Sequence, residues 1–190
     1  AQVISIGPAG ENLVKFACVL NDRGSTAGRC GMGAVMGSKK LKAVVARGNK
    51  KPPVADEAGF KAAREKMTEL LKWSLIADGL RDFGSNVHME YGMAIGDVPT
   101  KNWRVAYWDK GPGELGGTAV AESVLTKNHS CFACPVSCKR IVEVKSGPYA
   151  LEEGPGAEYE AAAALGTLHF MDNREANQKA NELCNRMGMD

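Results

Sequence analysis

The feature that most constrains the fold is a break at residues 50–53, where two lysines are followed by two prolines. Consecutive prolines continue neither a helix nor a strand ladder, because each lacks a backbone N–H and has a fixed φ. The residues before the break are glycine-rich and strand-like, whereas those after it follow a helical spacing. The sequence therefore predicts an α+β fold with two parts, residues 1–50 and residues 55–190.

Local signals predict the main elements of each part. Residues 3–6 and 42–47 are rich in β-branched side chains and predict strands. After Asp56, which we expect to cap a helix, apolar residues recur at helical spacing. Residues 83–117 hold many glycines and predict mostly loop, whereas residues 158–170 predict a tightly packed helix.

A last helix is predicted to begin at Asp172 and to end at Gly188. Its expected buried stripe consists of Ala176, Ala180, Leu183, Cys184 and Met187.

Charge and hydropathy exclude two broad classes. The chain has 24 Lys and Arg against 22 Asp and Glu, a net charge of +2, which argues against a dedicated nucleic-acid binder. No stretch approaches the length of a membrane span, and no signal peptide is evident. We therefore expect a cytoplasmic chain.

Because no initiator Met precedes Ala1 and Asp190 directly follows a helix stop, we also expect an internal piece of a longer polypeptide.

Three of the six cysteines form the motif Cys131-Phe-Ala-Cys134-Pro-Val-Ser-Cys138. Spacings of two and three residues allow a tight loop to turn several thiolates toward one centre. Such soft ligands suit an iron–sulfur cluster or zinc. Zinc would be completed by a histidine such as His129, and plain buried thiols are a third interpretation. The spacing favours the cluster.

A glycine-rich loop covers residues 28–39 and includes Arg29 and Lys39. Its glycine spacing matches neither the dinucleotide fingerprint nor the P-loop. Glycines allow backbone amides to approach a ligand closely, and the two basic side chains can hold anionic oxygens. The loop therefore predicts either a site for a phosphorylated cofactor or a tight structural loop.

Four motifs together resemble one enzyme family. Residues 3–14 and 27–43, the cysteine motif, the segment 154–160 and the segment 185–190 occur in the order found in tungsten-containing aldehyde ferredoxin oxidoreductases. The family's Asp-x-x-Gly-Leu-Asp is here Asn185-Arg-Met-Gly188-Met189-Asp190. Asn can still accept a hydrogen bond from a pterin through its amide oxygen, but it brings no charge.

The resemblance implies a fold and a set of cofactors. Residues 1–50 would end a β-rich domain that seats a tungsten (or molybdenum) bis-pyranopterin, and residues 55–190 would begin a mostly helical domain. A [4Fe–4S] cluster would be held by Cys131, Cys134 and Cys138, with a fourth cysteine outside this chain. Expected partners are ferredoxin or an iron–sulfur electron-transfer subunit, in an oligomeric enzyme.

The resemblance also assigns site residues. Two segments would bind the pterin, namely Arg29, Cys30 and Gly31 in the first and Asn185, Gly188 and Met189 in the second. Glu160 matches the second Glu of the family's Glu-Tyr-Glu and would be a general acid or base; the alternative is a carboxylate that merely favours the start of a helix. His88, in a predicted glycine-rich loop, would line the substrate cavity or lie at the surface.

Three functions follow from this resemblance. The first is oxidation of an aldehyde with ferredoxin as electron acceptor. Asn86 and His88, together with the variant segment 185–190, also resemble the benzoyl-CoA reductase branch of the family, which reduces an aromatic acyl-CoA. The third is a non-catalytic electron-relay subunit.

Overall fold

The computed structural model describes residues 1–22 and 24–190. It divides into two compact units, one formed by residues 1–51 and 180–190 and the other by residues 52–179. The predicted α+β fold, with a strand-rich first part and a mostly helical second part, is confirmed. The assignment of residues 1–50 and 55–190 to two domains of a larger enzyme stays a prediction.

The first unit is built on an antiparallel sheet in the order β3-β2-β1-β4. The strands are β1 Gln2–Ile6, β2 Val19–Asn21, β3 Ser25–Ala27 and β4 Ala43–Ala46. Two short helices lie in the connections, α1 Pro8–Glu11 and α2 Met32–Ser38. The predicted strands at residues 3–6 and 42–47 are thereby confirmed.

Glycines allow the two helices of this unit to touch. A Cβ on Gly37 in α2 would lie 1.9 Å from the carbonyl oxygen of Gly10 in α1. Real side chains do not tolerate such a distance, so this close approach of the two backbones requires glycine.

The second unit combines helices with a three-stranded antiparallel sheet in the order β5-β6-β7. Its helices are α3 Glu57–Leu71, α4 Leu75–Phe83, α5 Val87–Ala94, α6 Lys110–Leu115, α7 Gly117–Ser123 and α8 Tyr159–Leu165. Its strands are β5 Leu125–His129, β6 Lys139–Val144 and β7 Leu151–Pro155. Asp56 caps α3 as predicted, because its carboxylate accepts the Gly59 N–H at 2.9 Å.

Two small cores hold this unit together. One core contains the buried side chains of Met89, Met93 and Leu115 together with alanines of α8. Valines of α7 and β6 form the other core with Leu151. Burial of these side chains removes apolar area from water and is the main stabilising contribution.

The prediction of loop for most of residues 83–117 is wrong where α5 and α6 form. The glycines that indicated loop serve close packing instead. A Cβ on Gly92 would lie 2.8 Å from His88 Nε2, and one on Gly111 would lie 2.8 Å from Met93 Cε.

The predicted helix at residues 158–170 is shorter than expected. It ends at Leu165, and a 3₁₀ turn, Thr167–His169, follows Gly166. A Cβ at Gly166 would lie 2.3 Å from Leu115 Cδ1, so packing against α6 fixes glycine where the helix stops.

The last helix, α9, covers Arg174–Met187. Its cap is Asn173, whose side-chain oxygen accepts the Ala176 N–H at 2.8 Å, whereas the predicted Asp172 binds Lys110 at 2.9 Å. Gly188 follows the helix with φ 72°, as expected of a helix end.

The predicted apolar stripe of α9 is wrong. Leu183 and Met187 are each 40% exposed. The buried positions of this helix are polar, namely Asn177, Gln178 and Asn181. Burial is tolerated because the amides form hydrogen bonds: Asn177 donates to the Ala162 carbonyl at 3.0 Å and Gln178 accepts the Ala157 N–H at 2.8 Å.

Within residues 1–22 and 24–190, none of the helices combines the length and the apolar content of a membrane span.

Candidate functional site

The predicted pterin loop forms a 3₁₀ turn, Arg29–Gly31, directly before α2. Cys30 and Gly31 adopt left-handed conformations with φ 73° and 65°. This turn leaves Arg29 and Cys30 exposed and Gly31 buried. A Cβ on Gly31 would lie 2.3 Å from the Lys15 carbonyl oxygen, so the packing of the chain itself requires this glycine.

The second predicted segment meets the first one in the same unit. Both attach to residues 16–18, since Cys18 N–H donates to the Gly188 carbonyl at 2.9 Å and Gly33 N–H donates to the Ala17 carbonyl at 2.9 Å. Residue Ala17 also forms a β-bridge with Met189. The structure thus brings together two segments from opposite ends of the chain.

Gly28 and Asp190 mark how near the two segments come. A Cβ on Gly28 would lie 2.4 Å from Asp190 Oδ1. The connecting residues 16–18 were missed by sequence reasoning; their only signal is a pair of small residues, Ala17 and Cys18, both 0% exposed.

Two of the three cysteines of this unit, Cys18 and Cys184, have raised pKa values. Burial raises the pKa of Cys18, and the charge of Asp190 raises it further. Burial likewise raises the pKa of Cys184.

A cavity of about 640 Å³ lies in the second unit. One wall is apolar and comes from α4, with Leu75, Ile76 and Leu80. The other wall is polar and aromatic and comes from α5 and the start of α8. Both predicted catalytic residues, His88 and Glu160, line this cavity.

His88 lies on α5 and not in a loop, which corrects the prediction of its local structure. Its Nε2 lies 3.1 Å from Asp97 Oδ2. Its ring meets that of Tyr159 edge-on, with 4.6 Å between the centroids. Sequence reasoning missed Asp97, because a carboxylate nine residues away in a glycine-rich stretch carries no signal of its own.

Glu160 lies in the first turn of α8 and is exposed to the cavity side of the unit. The neighbouring Tyr159 is half-buried. Burial raises the pKa of Tyr159, and the carboxylates of Asp97 and Glu160 raise it further. This wall therefore presents a neutral phenol, an imidazole and a carboxylate to one space.

The cysteine motif forms the connection between β5 and β6. Cys134 N–H donates to the Cys131 carbonyl at 3.0 Å, and Ala133 and Ser137 take left-handed φ values of 55° and 62°. These turns bring the thiols into electrostatic reach. The pKa of Cys138 is raised. Burial is the largest cause, the charge of Glu158 is the next, and Cys131 and Cys134 contribute less.

The thiols are suitable donors but are not already arranged as a metal site. Across residues 1–22 and 24–190, no group of three or more His, Cys, Asp or Glu side chains is placed to hold a metal ion. Groups that would combine these cysteines with His129 are likewise absent from these residues. The chemistry of the donors, three soft sulfurs on one turning loop, fits an iron–sulfur cluster.

Two family models match the chain. The model described as "Aldehyde ferredoxin oxidoreductase, domains 2 & 3" covers residues 61–190, and the model of the N-terminal domain covers residues 1–48. The chain belongs to the aldehyde ferredoxin oxidoreductase family. The resemblance predicted from the four motifs is confirmed.

Curated relatives in this family match along the whole chain. It is 39% identical to a tungsten-containing aldehyde ferredoxin oxidoreductase of Thermococcus kodakarensis, covering 100% of the chain and 31% of the relative. It is 40% identical to the enzyme of that name from Pyrococcus horikoshii, of which it covers 30%. The WOR-like subunit of an aliphatic sulfonate oxidoreductase from Pyrococcus furiosus is 31% identical, with 99% and 30% covered.

A solved structure shares the fold. The active-site complex BamBC of benzoyl coenzyme A reductase, with bound 1,5 dienoyl-CoA, matches with a TM-score of 0.75 at 22% identity. The match covers 100% of this family member and 30% of that chain. At this identity the likeness shows the fold alone. The chain thus spans about 30% of the length of the proteins it matches.

Proposed function

We propose that this chain carries part of the catalytic site of a tungsten-dependent oxidoreductase that oxidises aldehydes to carboxylates and passes the electrons to ferredoxin. The observation that carries the proposal is the meeting of residues 28–33 with residues 188–190 on the segment 16–18. A large phosphorylated cofactor needs polar groups from more than one segment, and this meeting supplies them. The names of the relatives supply the reaction.

In this proposal the first unit holds a tungsten (or molybdenum) bis-pyranopterin. Arg29 would donate charge-assisted hydrogen bonds to the phosphate oxygens. Asn185 would offer an amide oxygen and an amide nitrogen to the polar edge of a pterin. Cys30, Gly31, Gly188 and Met189 would shape the backbone around it, and the left-handed turn at Cys30 and Gly31 supports this role.

Cys131, Cys134 and Cys138 would hold three irons of a [4Fe–4S] cluster in the second unit. When bound, tungstopterin supplies two-electron chemistry, and the cluster passes electrons onward one at a time. An iron–sulfur electron-transfer protein such as ferredoxin would then accept them. The turn from Cys131 to Cys134 supports this use of the loop.

The reaction sets what the residues of the cavity must do. Conversion of RCHO and H₂O to RCOO⁻ releases two electrons and three protons. Glu160 would accept a proton from the water as its oxygen forms a bond to the aldehyde carbon. Tyr159, kept neutral by its raised pKa, would donate a hydrogen bond to the aldehyde oxygen. The apolar wall of α4 would hold the R group.

A second candidate is reduction of an aromatic acyl-CoA. The aromatic side chains of Tyr91 and Tyr159 line the same cavity as the apolar residues of α4, and this combination suits a flat ring. His88 and Glu160 would then supply protons to the ring as electrons arrive. The two candidates differ in substrate and in the direction of electron flow.

The test uses the purified holoenzyme. Tungsten or molybdenum together with iron, and aldehyde-dependent reduction of ferredoxin or a viologen dye, would support the proposal. Dye-dependent reduction of benzoyl-CoA with no aldehyde oxidation would support the second candidate. Iron without tungsten or molybdenum would indicate an electron-relay subunit, and zinc alone would contradict all three.

A further inference from the structure

Arg140 is a buried arginine that the proposed reaction does not use. It is 3% exposed and lies in β6, two residues after Cys138. Its guanidinium donates to backbone carbonyl groups only: Nε to Cys138 at 3.1 Å, Nη1 to Asp82 at 3.0 Å, and Nη2 to Leu80 at 3.2 Å and to Arg81. Burial of a charged side chain costs free energy, which the hydrogen bonds to these carbonyls offset. A buried arginine in such a position therefore calls for an explanation.

The carbonyl acceptors belong to two different elements. Leu80, Arg81 and Asp82 lie in the last turn of α4, where a helix runs out of its own N–H partners for its carbonyls. The Leu80 carbonyl also accepts the Gly84 N–H at 2.9 Å, and the Arg81 carbonyl also accepts from Asn128 at 2.8 Å. Cys138 ends the cysteine loop. One side chain therefore fastens the end of the loop to the end of the helix.

The backbone around Arg140 is shaped to admit it. Gly84, which follows α4, has φ 69°, and a Cβ there would lie 3.0 Å from Arg140 Nε and 3.1 Å from the Cys138 carbonyl oxygen. Any side chain at this position would press on the guanidinium and on the cysteine loop. The glycine is thus fitted to this contact.

The same helix forms a wall of the cavity. Gly79 and Leu80 of α4 line it, and so does Glu158. Burial lowers the pKa of Arg140, whereas Cys138, Glu158 and Asp82 act in the opposite direction. Arginine keeps its charge in proteins, so a permanent positive charge lies next to the last cysteine of the loop, at 3.1 Å from its carbonyl oxygen.

We propose that Arg140 is a positioning residue that holds Cys138 against the end of α4 and places a fixed positive charge beside the iron–sulfur cluster, favouring the reduced cluster. The inference rests on the proposed cluster site. Local charge and hydrogen bonding set the reduction potential of such clusters. Reduction adds a negative charge, so a nearby cation stabilises the reduced form.

The test compares three variants of the holoenzyme by redox titration of the cluster's paramagnetic signal. Arg140→Gln removes the charge, and we expect the reduced cluster to be disfavoured about tenfold, a fall in potential of about 59 mV for one electron. Arg140→Lys keeps the charge but loses the planar set of N–H donors of the guanidinium, so we expect a smaller fall in the reduction potential. Arg174→Gln is the matched control, because Arg174 also donates to carbonyls, those of Glu114 at 2.8 Å and Gly113 at 3.4 Å.

An unchanged potential in Arg140→Gln, with iron and sulfide content intact, would overturn the inference, as would an equal fall in Arg174→Gln. If Arg140→Gln does not fold, Arg140→Lys decides by amide hydrogen exchange. Exchange should accelerate in both segments 131–138 and 80–84, and unchanged exchange in either segment would overturn the inference. Absence of iron and sulfide from the unmodified holoenzyme would instead defeat the proposed cluster site itself.

Discussion

His88 lines the cavity, and its Nε2 lies 3.1 Å from Asp97 Oδ2. An ionised carboxylate can only accept hydrogen bonds, so Nε2 must carry the proton in this pair. The neutral imidazole is then left with Nδ1 as its acceptor, and the protonated imidazole can donate from Nδ1. The pair thereby fixes which nitrogen of His88 can exchange a proton with a ligand.

This pair leads to a prediction that separates the two candidate reactions. His88→Asn should lower kcat by about 10²–10⁴-fold if the enzyme reduces an aromatic acyl-CoA, because a proton donor is lost. A simple aldehyde oxidiser should tolerate the change. Steady-state kinetics on both substrates is the measurement. His169→Asn, in the 3₁₀ turn and not among the residues of the cavity wall, is the control.

In the glycine loop, the effect of a substitution on protein stability can be separated from its effect on ligand binding. Gly31→Val should destabilise the protein by at least about 1–3 kcal/mol, because Gly31 has φ 65° and a Cβ would contact the Lys15 carbonyl at 2.3 Å. A lower Tm in thermal unfolding would show this. Tungsten loss in that variant alone therefore says little about binding.

Arg29→Gln tests the binding contribution directly. We expect a lower tungsten content by metal analysis, because the exposed guanidinium would no longer donate to the phosphate oxygens. The Tm is measured on the same variant, so that any loss of stability is separated from loss of the cofactor. Arg47→Gln, an exposed arginine of the same unit outside residues 28–39, is the matched control and should keep its tungsten content. Full tungsten occupancy in Arg29→Gln would contradict a role of Arg29 in cofactor binding and would leave the loop with a structural role.

Local patterns predicted the parts of the fold that short-range physics controls. The β-branched runs gave β1 and β4, and the carboxylate of Asp56 gave the start of α3. The α5 helix was missed because glycine weakens a helix in isolation. In the structure Gly92 is favourable, since it makes room for the ring of His88.

The site was predicted where a motif carries it and missed where only tertiary contacts do. His88 and Glu160 were predicted for one cavity, and both line it. Asp97 meets His88 from outside its helix, and Arg140 meets carbonyls of α4 about 60 residues away, so no sequence spacing predicts either contact. The buried amides of α9 mislead in the same way, because Asn177 and Gln178 are satisfied by backbone groups of other segments.

The cysteine loop gives a fourth prediction. Cys134→Ser should abolish most of the paramagnetic signal of the reduced cluster, because a hydroxyl is a much poorer iron ligand than a thiolate. Iron and sulfide analysis should fall in parallel. Cys184→Ser, a half-buried thiol in another part of the chain, should leave both unchanged. Equal cluster content in the two variants would contradict the assignment.

The last prediction concerns Glu160 as the group that moves a proton. Glu160→Gln keeps the shape of the side chain but removes its basicity, so kcat should fall by about 10²–10⁴-fold with metal content intact. Glu175→Gln is the matched control, since Glu175 also lies in the first turn of a helix but does not line the cavity. Both variants lose a favourable contact with a helix dipole, worth about 0.3–1 kcal/mol, so this contribution cancels in the comparison. If kcat is unchanged in Glu160→Gln, or falls equally in both variants, the proton-transfer role is wrong.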